Sequence, residues 1–213
     1  MLYPVFKRGL DILLSLVGIV VSAPILALMA AAIKIETQGS VFFLQDRLGK
    51  DGEVFRIIKL RTMEEDAERK GTGVYSYEND ARVTRVGRFL RRTSIDELPQ
   101  LFNILKGDMS FIGMRPPLTY HPCSFEEYTD YQRQMFRLRP GITGWAQVQG
   151  RNTLDWPQRI EYNIWYQEHV SFSLDVKIFF MTIWIVLRRK DVVVTHNTAS
   201  EFQTQQPKST KKP

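Results

Sequence analysis

The stretch Ser94-Ile95-Asp96-Glu97-Leu98-Pro99 places two adjacent carboxylates directly before an apolar run that predicts a helix. The arginine pair Arg91-Arg92 comes just before it. Ser94 and Glu97 have the spacing of a capping box, in which each side chain satisfies a backbone donor at a helix N-terminus. Whichever residue caps the helix, Asp96 is expected at or within its opening. Acidic and basic side chains gathered at a helix start suit the binding of phosphate groups.

Two interpretations of these carboxylates are open. In the structural one, Glu97 completes the helix cap and Asp96 is a surface charge. In the functional one, the helix dipole together with Arg91 and Arg92 keeps Asp96 ionised, so that it can attack phosphorus and form an acyl phosphate. Adjacent carboxylates would also offer hard oxygen ligands to Mg²⁺.

The composition is that of a folded protein with anionic partners. The chain has 213 residues, of which 44% are hydrophobic, and its formal net charge is +6. A basic balance favours nucleic acid, acidic lipid or phosphorylated substrates without choosing among them. Cys123 is the only cysteine, which excludes an intrachain disulfide and a cysteine-rich zinc site. The sequence also lacks a Walker phosphate loop, a dinucleotide-binding glycine motif, a zinc-protease His-Glu-x-x-His motif and a Gly-x-Ser-x-Gly nucleophile motif.

Residues 12–33 form a run of 22 positions without a charge. A helix of this length could cross a hydrocarbon core of about 30 Å. Three interpretations are open: a transmembrane helix, a cleaved signal peptide, and a hairpin that enters one leaflet and returns. Pro24 predicts a kink, and Ser22 could satisfy a carbonyl that the proline leaves free. Basic residues flank both ends of the run, which fits both ends lying on the cytoplasmic side.

The remaining pattern predicts an α/β protein in which a small sheet or β-hairpin accompanies several helices. Residues 41–44 and 54–58 are β-prone and flank a glycine-containing turn at 49–52. The spacing of apolar residues predicts helices at 124–138 and 160–168. No internal repeat divides the chain into further units.

Two other segments carry a periodic or compositional signal. Four arginines recur every three residues: Arg82, Arg85, Arg88 and Arg91. A helix over residues 82–92 would align them roughly along one face. Residues 172–187 are strongly apolar and are followed by three cations, which predicts either a buried core helix or a helix at the membrane interface. Residues 71–80 predict a loop, and the polar, basic residues after 194 predict a disordered tail.

Five motifs, met in order along the chain, match one known family. They are KLRTM at 59–63, RRTSIDELPQ at 91–100, LKGDMS at 105–110, Arg115-Pro116, and PGITGWAQV at 140–148 followed by Gly150-Arg151-Asn152. In this order they resemble the bacterial sugar transferases, the polyprenyl-phosphate phosphoglycosyl transferases. The resemblance extends over roughly residues 5–192 and implies a chain close to a minimal catalytic unit.

The resemblance implies an enzyme that transfers a sugar 1-phosphate from a UDP-sugar to a polyprenyl phosphate, usually undecaprenyl phosphate, and releases UMP. It implies that Asp96 is the nucleophile and forms a covalent phosphosugar intermediate. Glu97 would hold Mg²⁺ together with Asp96 or position a phosphate. Arg91 would bind the lipid phosphate or the transferring group, and Arg92 would share this task. The further residues expected to contact substrate are Lys59, Arg61, Arg115, Pro116, Arg151 and Asn152.

The resemblance also favours the re-entrant hairpin among the three membrane interpretations. It implies a helix–break–helix at residues 1–36, a catalytic domain with interfacial amphipathic helices at 37–194, and a flexible basic tail at 195–213. The family breaks the first helix at a Ser-Pro pair, whereas here Ala23 separates Ser22 from Pro24. The implied location is the bacterial inner membrane, with the catalytic domain on the cytoplasmic face.

The expected partners are a UDP-sugar, a polyprenyl phosphate and bacterial inner-membrane lipid, and a homodimer is left open. No nucleic-acid partner is expected, because the long apolar run argues against a soluble nucleic-acid-binding protein. The alternative function is a non-catalytic membrane-surface adaptor that binds anionic lipid through its basic face. The sugar that is transferred and the glycan pathway stay open.

Overall fold

The computed structural model describes residues 2–67, 73, 80–150 and 153–188. Within these residues the helices are α1 Leu2–Glu36, α2 Arg85–Thr93, α3 Gln100–Lys106, α4 Asp130–Arg133, α5 Trp145–Gln149, α6 Trp156–His169 and α7 Phe172–Arg188. The strands are β1 Phe42–Leu48, β2 Val54–Leu60, β3 Ser110–Ile112 and β4 Gly141–Thr143. Most of the loop predicted at 71–80 and all of the predicted tail lie outside the described residues.

The first helix is continuous from Leu2 to Glu36, so the predicted break between two helices is wrong at the level of secondary structure. Pro24 is an internal residue of this helix. The carbonyl four residues before it belongs to Val20, but the hydroxyl of Ser22 donates instead to the carbonyl of Ile19 at 3.4 Å. The predicted compensation by Ser22 is therefore also wrong.

Over most of its length, helix α1 buries a stripe of polar side chains and exposes apolar ones. Asp11, Ser15 and Ser22 are buried and share one face of the helix, since they are four and seven residues apart. The opposite sides expose large apolar residues, including Leu13, Val17, Val20, Val21 and Leu28. It is also the one helix among the described residues that is long and apolar enough to cross a membrane. This arrangement is the reverse of a helix on the surface of a soluble protein.

Contacts with the rest of the protein run along the whole of α1. Near its start, the guanidinium of Arg8 donates to the carbonyls of Ile104 and Leu105 at the C-terminal end of α3, at 2.6 and 2.9 Å. At its end, the carboxylate of Glu36 accepts from the backbone N–H groups of Arg85 and Val86 at 2.7 and 2.9 Å. Glu36 thus satisfies donors that the first turn of α2 leaves open. Both ends of α1 are held by the same domain.

A buried carboxylate ties α1 to the two C-terminal helices. Asp175 of α7 accepts from Lys7 at 2.5 Å and from the hydroxyls of Tyr3 and Tyr166, both at 2.6 Å. Asp175 is only 7% exposed, so its charge depends on these donors. The cluster fixes α7 and α6 against the first turns of α1.

The predicted β-hairpin is confirmed. Strands β1 and β2 pair in antiparallel register from Phe42 opposite Leu60 to Leu48 opposite Val54. The turn between them uses Asp51 and Gly52 at positive φ, which suits an aspartate and a glycine. Strands β3 and β4 form a second, parallel pair. The predicted α/β class with a small sheet is therefore confirmed, with two separate two-stranded sheets in place of one.

The arginine-rich segment differs from the prediction of one basic helix face. Helix α2 begins only at Arg85, so Arg82 lies before it. Arg82 is buried and its Nη2 lies 2.7 Å from Oδ2 of Asp80. Arg85 and Arg88 are exposed, whereas Arg91 is partly buried. The regular spacing of the four residues therefore does not correspond to one common environment.

The C-terminal half confirms one predicted helix and corrects another. The helix predicted at 160–168 is present within α6, but the one predicted at 124–138 is divided into α4 and two 3₁₀ turns. Helix α7 buries Asp175 and Ile178 and exposes apolar side chains on its other sides: Phe172, Phe179, Phe180, Ile183, Trp184 and Leu187. It is therefore not a fully buried core helix.

Candidate functional site

Ser94 ends one helix, and the predicted capping box does not form. Its backbone is left-handed, with φ of 57°, and its N–H closes the last turn of α2. A 3₁₀ turn over Ile95–Glu97 follows, and α3 begins only at Gln100 after Pro99. Asp96 and Glu97 therefore lie in a tight turn between two helices, because Ser94 adopts a conformation in which it cannot serve as the N-cap of α3.

Glu97 is held by two cations. Its Oε1 accepts from Nζ of Lys59 at 3.0 Å and from Nη2 of Arg115 at 3.1 Å. Burial alone would raise the pKa of Glu97, but the attraction of Lys59 and Arg115 outweighs it and holds that pKa far below its ordinary value. Glu97 is therefore ionised and fixed in position.

Asp96 has a different environment from its neighbour. Among the described residues, its carboxylate forms neither a hydrogen bond nor an ion pair within 4 Å. Burial and the negative charge of Glu97 raise the pKa of Asp96, and the charges of Lys59, Arg91 and Arg115 oppose this increase only in part. Arg91 lowers the pKa of Asp96, as the sequence predicts for a nearby arginine, but burial and Glu97 raise it by more. What results is an unpaired carboxylate of increased basicity beside one whose Oε1 is bound by two cations.

Both carboxylates line a cavity of about 850 Å³. Seven of the residues predicted to form the site meet there: Lys59, Arg61, Arg91, Asp96, Glu97, Arg115 and Pro116. Arg92 is exposed and is not part of the cavity wall, so the structure does not bring it to the site. Arg151 and Asn152 lie outside the described residues.

Two of the predicted phosphate-binding arginines also have structural partners. The guanidinium of Arg61 is buried and donates to the carbonyls of Thr37 and Gln38, just after the end of α1, and to the hydroxyl of Thr37 at 2.9 Å. Arg91 donates through Nε to the hydroxyl of Thr62 at 2.8 Å. Arg61 thus stabilises the end of α1, whereas Arg91 is oriented on the cavity wall near Asp96.

Comparison with protein families places this site in a known context. The family model described as bacterial sugar transferase matches residues 2–189 of the chain. The chain belongs to the bacterial sugar transferase family. The match includes all the elements that build the cavity, so the family resemblance carried by the sequence motifs is confirmed.

Three relatives illustrate the range of this sugar transferase family. An uncharacterized sugar transferase EpsL of Bacillus subtilis is 38% identical over 200 residues, covering 93% of this chain and 96% of the relative. The UDP-N-acetylgalactosamine-undecaprenyl-phosphate N-acetylgalactosaminephosphotransferase of Aeromonas hydrophila is 41% identical, covering 87% of this chain and 44% of the relative. The UDP-glucose:undecaprenyl-phosphate glucose-1-phosphate transferase of Escherichia coli is 38% identical, covering 84% and 39%. The chain thus spans less than half the length of these last two relatives.

The sugar transferase cavity also contains residues that the sequence analysis did not identify. These include Arg47, His121, Thr143, Gln147, Trp156, Arg159, Asn163 and Thr182. Trp156, Arg159 and Asn163 occupy one face of α6, with spacings of three and four residues that the sequence displays. Gln147 lies within the PGITGWAQV motif. Thr143 lies in the same motif, whereas Arg47, His121 and Thr182 come from distant segments and carry no local signal.

The carboxylate pair has the oxygen donors that a magnesium ion prefers. Among the residues that the structure describes, no group of three or more His, Cys, Asp or Glu side chains is arranged to hold a metal. Mg²⁺, however, is commonly bound through one or two carboxylates, with phosphate oxygens and water completing its shell. The carboxylate of Asp96 and Oε2 of Glu97 are not used in the hydrogen bonds of the site and provide such ligands.

Proposed function

We propose that this sugar transferase moves a sugar 1-phosphate from a UDP-sugar to undecaprenyl phosphate and releases UMP. The relatives from Aeromonas hydrophila and Escherichia coli are named for this type of reaction. The observation that carries the proposal is the contrast between Asp96, unpaired and of raised pKa, and Glu97, fixed by Lys59 and Arg115.

In the first step, a carboxylate oxygen of Asp96 attacks the phosphorus that bears the sugar. The bond from this phosphorus to the bridging oxygen breaks, and the electron pair leaves with UMP. The product is an aspartyl phosphosugar on the enzyme. The charges of Lys59, Arg91 and Arg115 stabilise the negative charge that develops on the phosphate oxygens.

In the second step, a phosphate oxygen of undecaprenyl phosphate attacks the same phosphorus. The bond to Asp96 breaks, the carboxylate is regenerated, and the products are undecaprenyl-diphosphate sugar and free enzyme. The lipid phosphate carries its own negative charge, so no general base is needed to activate it. Arg91, which faces the cavity close to Asp96, is the cation that we assign to the incoming lipid phosphate.

A bound Mg²⁺, held by Asp96 and Oε2 of Glu97, would withdraw charge from the diphosphate and assist the departure of UMP. The two cations on Glu97 keep this carboxylate ionised and aimed at the same place. Glutamine at position 97 would have the shape of glutamate but no charge. It would therefore be a poorer ligand for the ion and would be held less firmly by Lys59 and Arg115.

The proposed location is the cytoplasmic face of the bacterial inner membrane. Helix α1 turns its polar stripe to the protein and its apolar sides outward, as expected for a helix surrounded by lipid. Arg8 and Glu36 both bind the same domain, so the catalytic domain and both ends of the continuous helix α1 stay together at the membrane. The exposed apolar side of α7, with Arg188 packed on Trp184 at 3.9 Å, suits the membrane interface.

The reaction is tested by measuring UMP release from a panel of UDP-sugars with undecaprenyl phosphate and Mg²⁺. Asp96→Asn should lower the rate by about 10³-fold or more, as the loss of a nucleophile does. Intact-mass analysis of the wild-type protein with its donor alone should show an added phosphosugar that Asp96→Asn lacks. Asp130→Asn, at a fully exposed aspartate, is the matched control and should behave as wild type.

The same assay distinguishes the enzyme from a membrane-surface adaptor. An adaptor would bind anionic vesicles but release no UMP with any donor. Substantial turnover by folded Asp96→Asn, or a phosphosugar adduct formed elsewhere in that variant, would contradict the assignment of the nucleophile.

A further inference from the structure

Gln147 of α5 has a buried side-chain amide without a partner. Both its Nε2 and its Oε1 are shielded from solvent, and neither forms a hydrogen bond in the structure. The side chain lies in the wall of the cavity that contains Asp96. Buried amides are nearly always hydrogen-bonded, because losing water without gaining a partner is unfavourable. An unpaired donor and acceptor together in a cavity wall therefore point to a ligand that pairs with both.

A second amide lies in the same cavity. Asn163 of α6 is only 7% exposed, and its side chain forms no hydrogen bond with the part of the chain that the structure describes. Like Gln147, it is part of the cavity wall. By contrast, the neighbouring hydroxyls of Thr143 and Thr182 are paired with each other at 2.8 Å. The two amides are thus uncharged polar groups of the cavity wall that form no hydrogen bond with the described residues.

The cavity has cationic side chains near Asp96 and uncharged amides elsewhere, and each kind suits a different part of the ligand. Lys59, Arg91 and Arg115 surround Asp96 and suit the phosphates. Carboxamides carry no charge, but each offers a donor and an acceptor side by side. They therefore match an uncharged group with the same complement, such as the imide edge of uracil or the hydroxyl and acylamino groups of a sugar.

We infer that Gln147 and Asn163 bind the uncharged part of the nucleotide sugar, either its base or its sugar. The inference rests on the proposed function, since it assigns the phosphates to the cations and the remainder of the same molecule to the amides. A site that hydrogen-bonds a substrate group discriminates strongly against an analogue that lacks it, because its own polar groups are then left unpaired.

The test replaces each amide by an apolar side chain of similar size, in Gln147→Met and Asn163→Leu, in the full-length protein. Since neither amide has a partner among the described residues, the melting temperature should stay unchanged or increase. The kcat/KM for the preferred UDP-sugar should fall about tenfold or more, the loss expected for a neutral hydrogen bond in a binding site. A merely structural role would lower the melting temperature in parallel.

The control is Gln167→Met. Gln167 donates to the carbonyl of Met135 at 2.8 Å and is not part of the cavity wall. This variant should lose thermal stability because a buried carbonyl loses its donor, but it should retain the kcat/KM of the wild type. The control therefore separates the effect of a lost internal hydrogen bond from the effect of a lost ligand contact.

Calorimetric measurement of UMP binding distinguishes whether the amides bind the uracil base or the sugar. If the amides bind the base, UMP binds about tenfold more weakly to the variants and all UDP-sugars are affected equally. If they bind the sugar, UMP affinity is unchanged and the losses in kcat/KM differ among UDP-sugars. The inference is overturned if neither quantity changes. Failure of the proposed function is a separate result, in which the wild type releases no UMP from any donor.

Discussion

Lys59→Met tests whether the ion pair between Lys59 and Glu97 stabilises the site and sets the charge around Asp96. Methionine keeps most of the length of the side chain but removes its charge. Nζ of Lys59 lies 3.0 Å from Oε1 of Glu97, and the two side chains are 15% and 21% exposed. The substitution leaves Glu97 with Arg115 as its single cation, and the side chain of Arg115 is 50% exposed.

The expected loss of stability follows from this geometry. At 3.0 Å and an effective dielectric constant of about 20, the direct attraction between the charges is about 5 kcal/mol. Removing one partner of a buried pair generally costs about 3–5 kcal/mol, net of the desolvation that is recovered. Because Arg115 still compensates Glu97, we expect about 3 kcal/mol. For a chain of this length, that corresponds to a decrease of about 6–12 °C in melting temperature.

The same substitution should change the pH dependence of the reaction. Lys59 lowers the pKa of Asp96, against the effects of burial and of Glu97 that raise it. Without Lys59 this pKa increases further, so a higher pH is needed to ionise the nucleophile. The acid limb of kcat/KM for the UDP-sugar should therefore move to higher pH in Lys59→Met, as measured by UMP release across the acidic and neutral range.

The matched control is Lys106→Met, the same substitution at an exposed ion pair. Nζ of Lys106 lies 3.3 Å from Oδ2 of Asp108, but its side chain is 74% exposed. Such pairs contribute at most about 1 kcal/mol, so the melting temperature should change little and the acid limb not at all. Equal losses of stability in both variants, or an acid limb that Lys59→Met leaves in place, would refute the reasoning.

Three further predictions concern single residues. In the wild type, kcat/KM should fall as the pH decreases, because Asp96 becomes protonated and can no longer attack. The pKa of this fall should lie above the ordinary aspartate value of about 4, since burial and Glu97 raise the pKa of Asp96. A fall centred at or below the ordinary value would contradict this. Gly87→Ala should lower the melting temperature, since its Cβ would lie 1.9 Å from the carbonyl oxygen of Thr62; Gly9→Ala, with nothing within 4 Å, should not. Asp175→Asn should increase hydrogen exchange in the first turns of α1, because the lysine and tyrosines that hold them there lose a charged acceptor; unchanged exchange would exclude this role.

Local patterns were sufficient for part of this fold. The β-prone runs on either side of a glycine-containing turn identify β1 and β2, because a hairpin is formed by residues close in sequence. The apolar periodicity of α6 and the apolar run of α7 are likewise local properties. The motif around Asp96 and Glu97, with the four others, identified the family, and seven of the ten site residues predicted from it meet in the cavity.

The errors arise where distant contacts decide the outcome. Ser94 matches a capping box, but the tight passage from α2 to α3 places it in the left-handed region, and Glu97 instead binds a lysine from β2 and an arginine that follows β3. Arg82 fits a helical repeat, but Asp80 holds it before the helix starts. Gln147 lies in a motif and Asn163 in a helical repeat, but only the structure shows that their amides form no hydrogen bond with the described residues.

Strand β2 links the position of helix α1 in the membrane to the acidic pair of the cavity. Lys59 and Arg61 are two residues apart around the end of this strand; the first binds Glu97 and the second binds the backbone just beyond α1. A displacement of that helix end is therefore transmitted mechanically over a single intervening residue to the acidic pair. It follows that the turnover of this enzyme should vary with the thickness of the bilayer in which it is reconstituted.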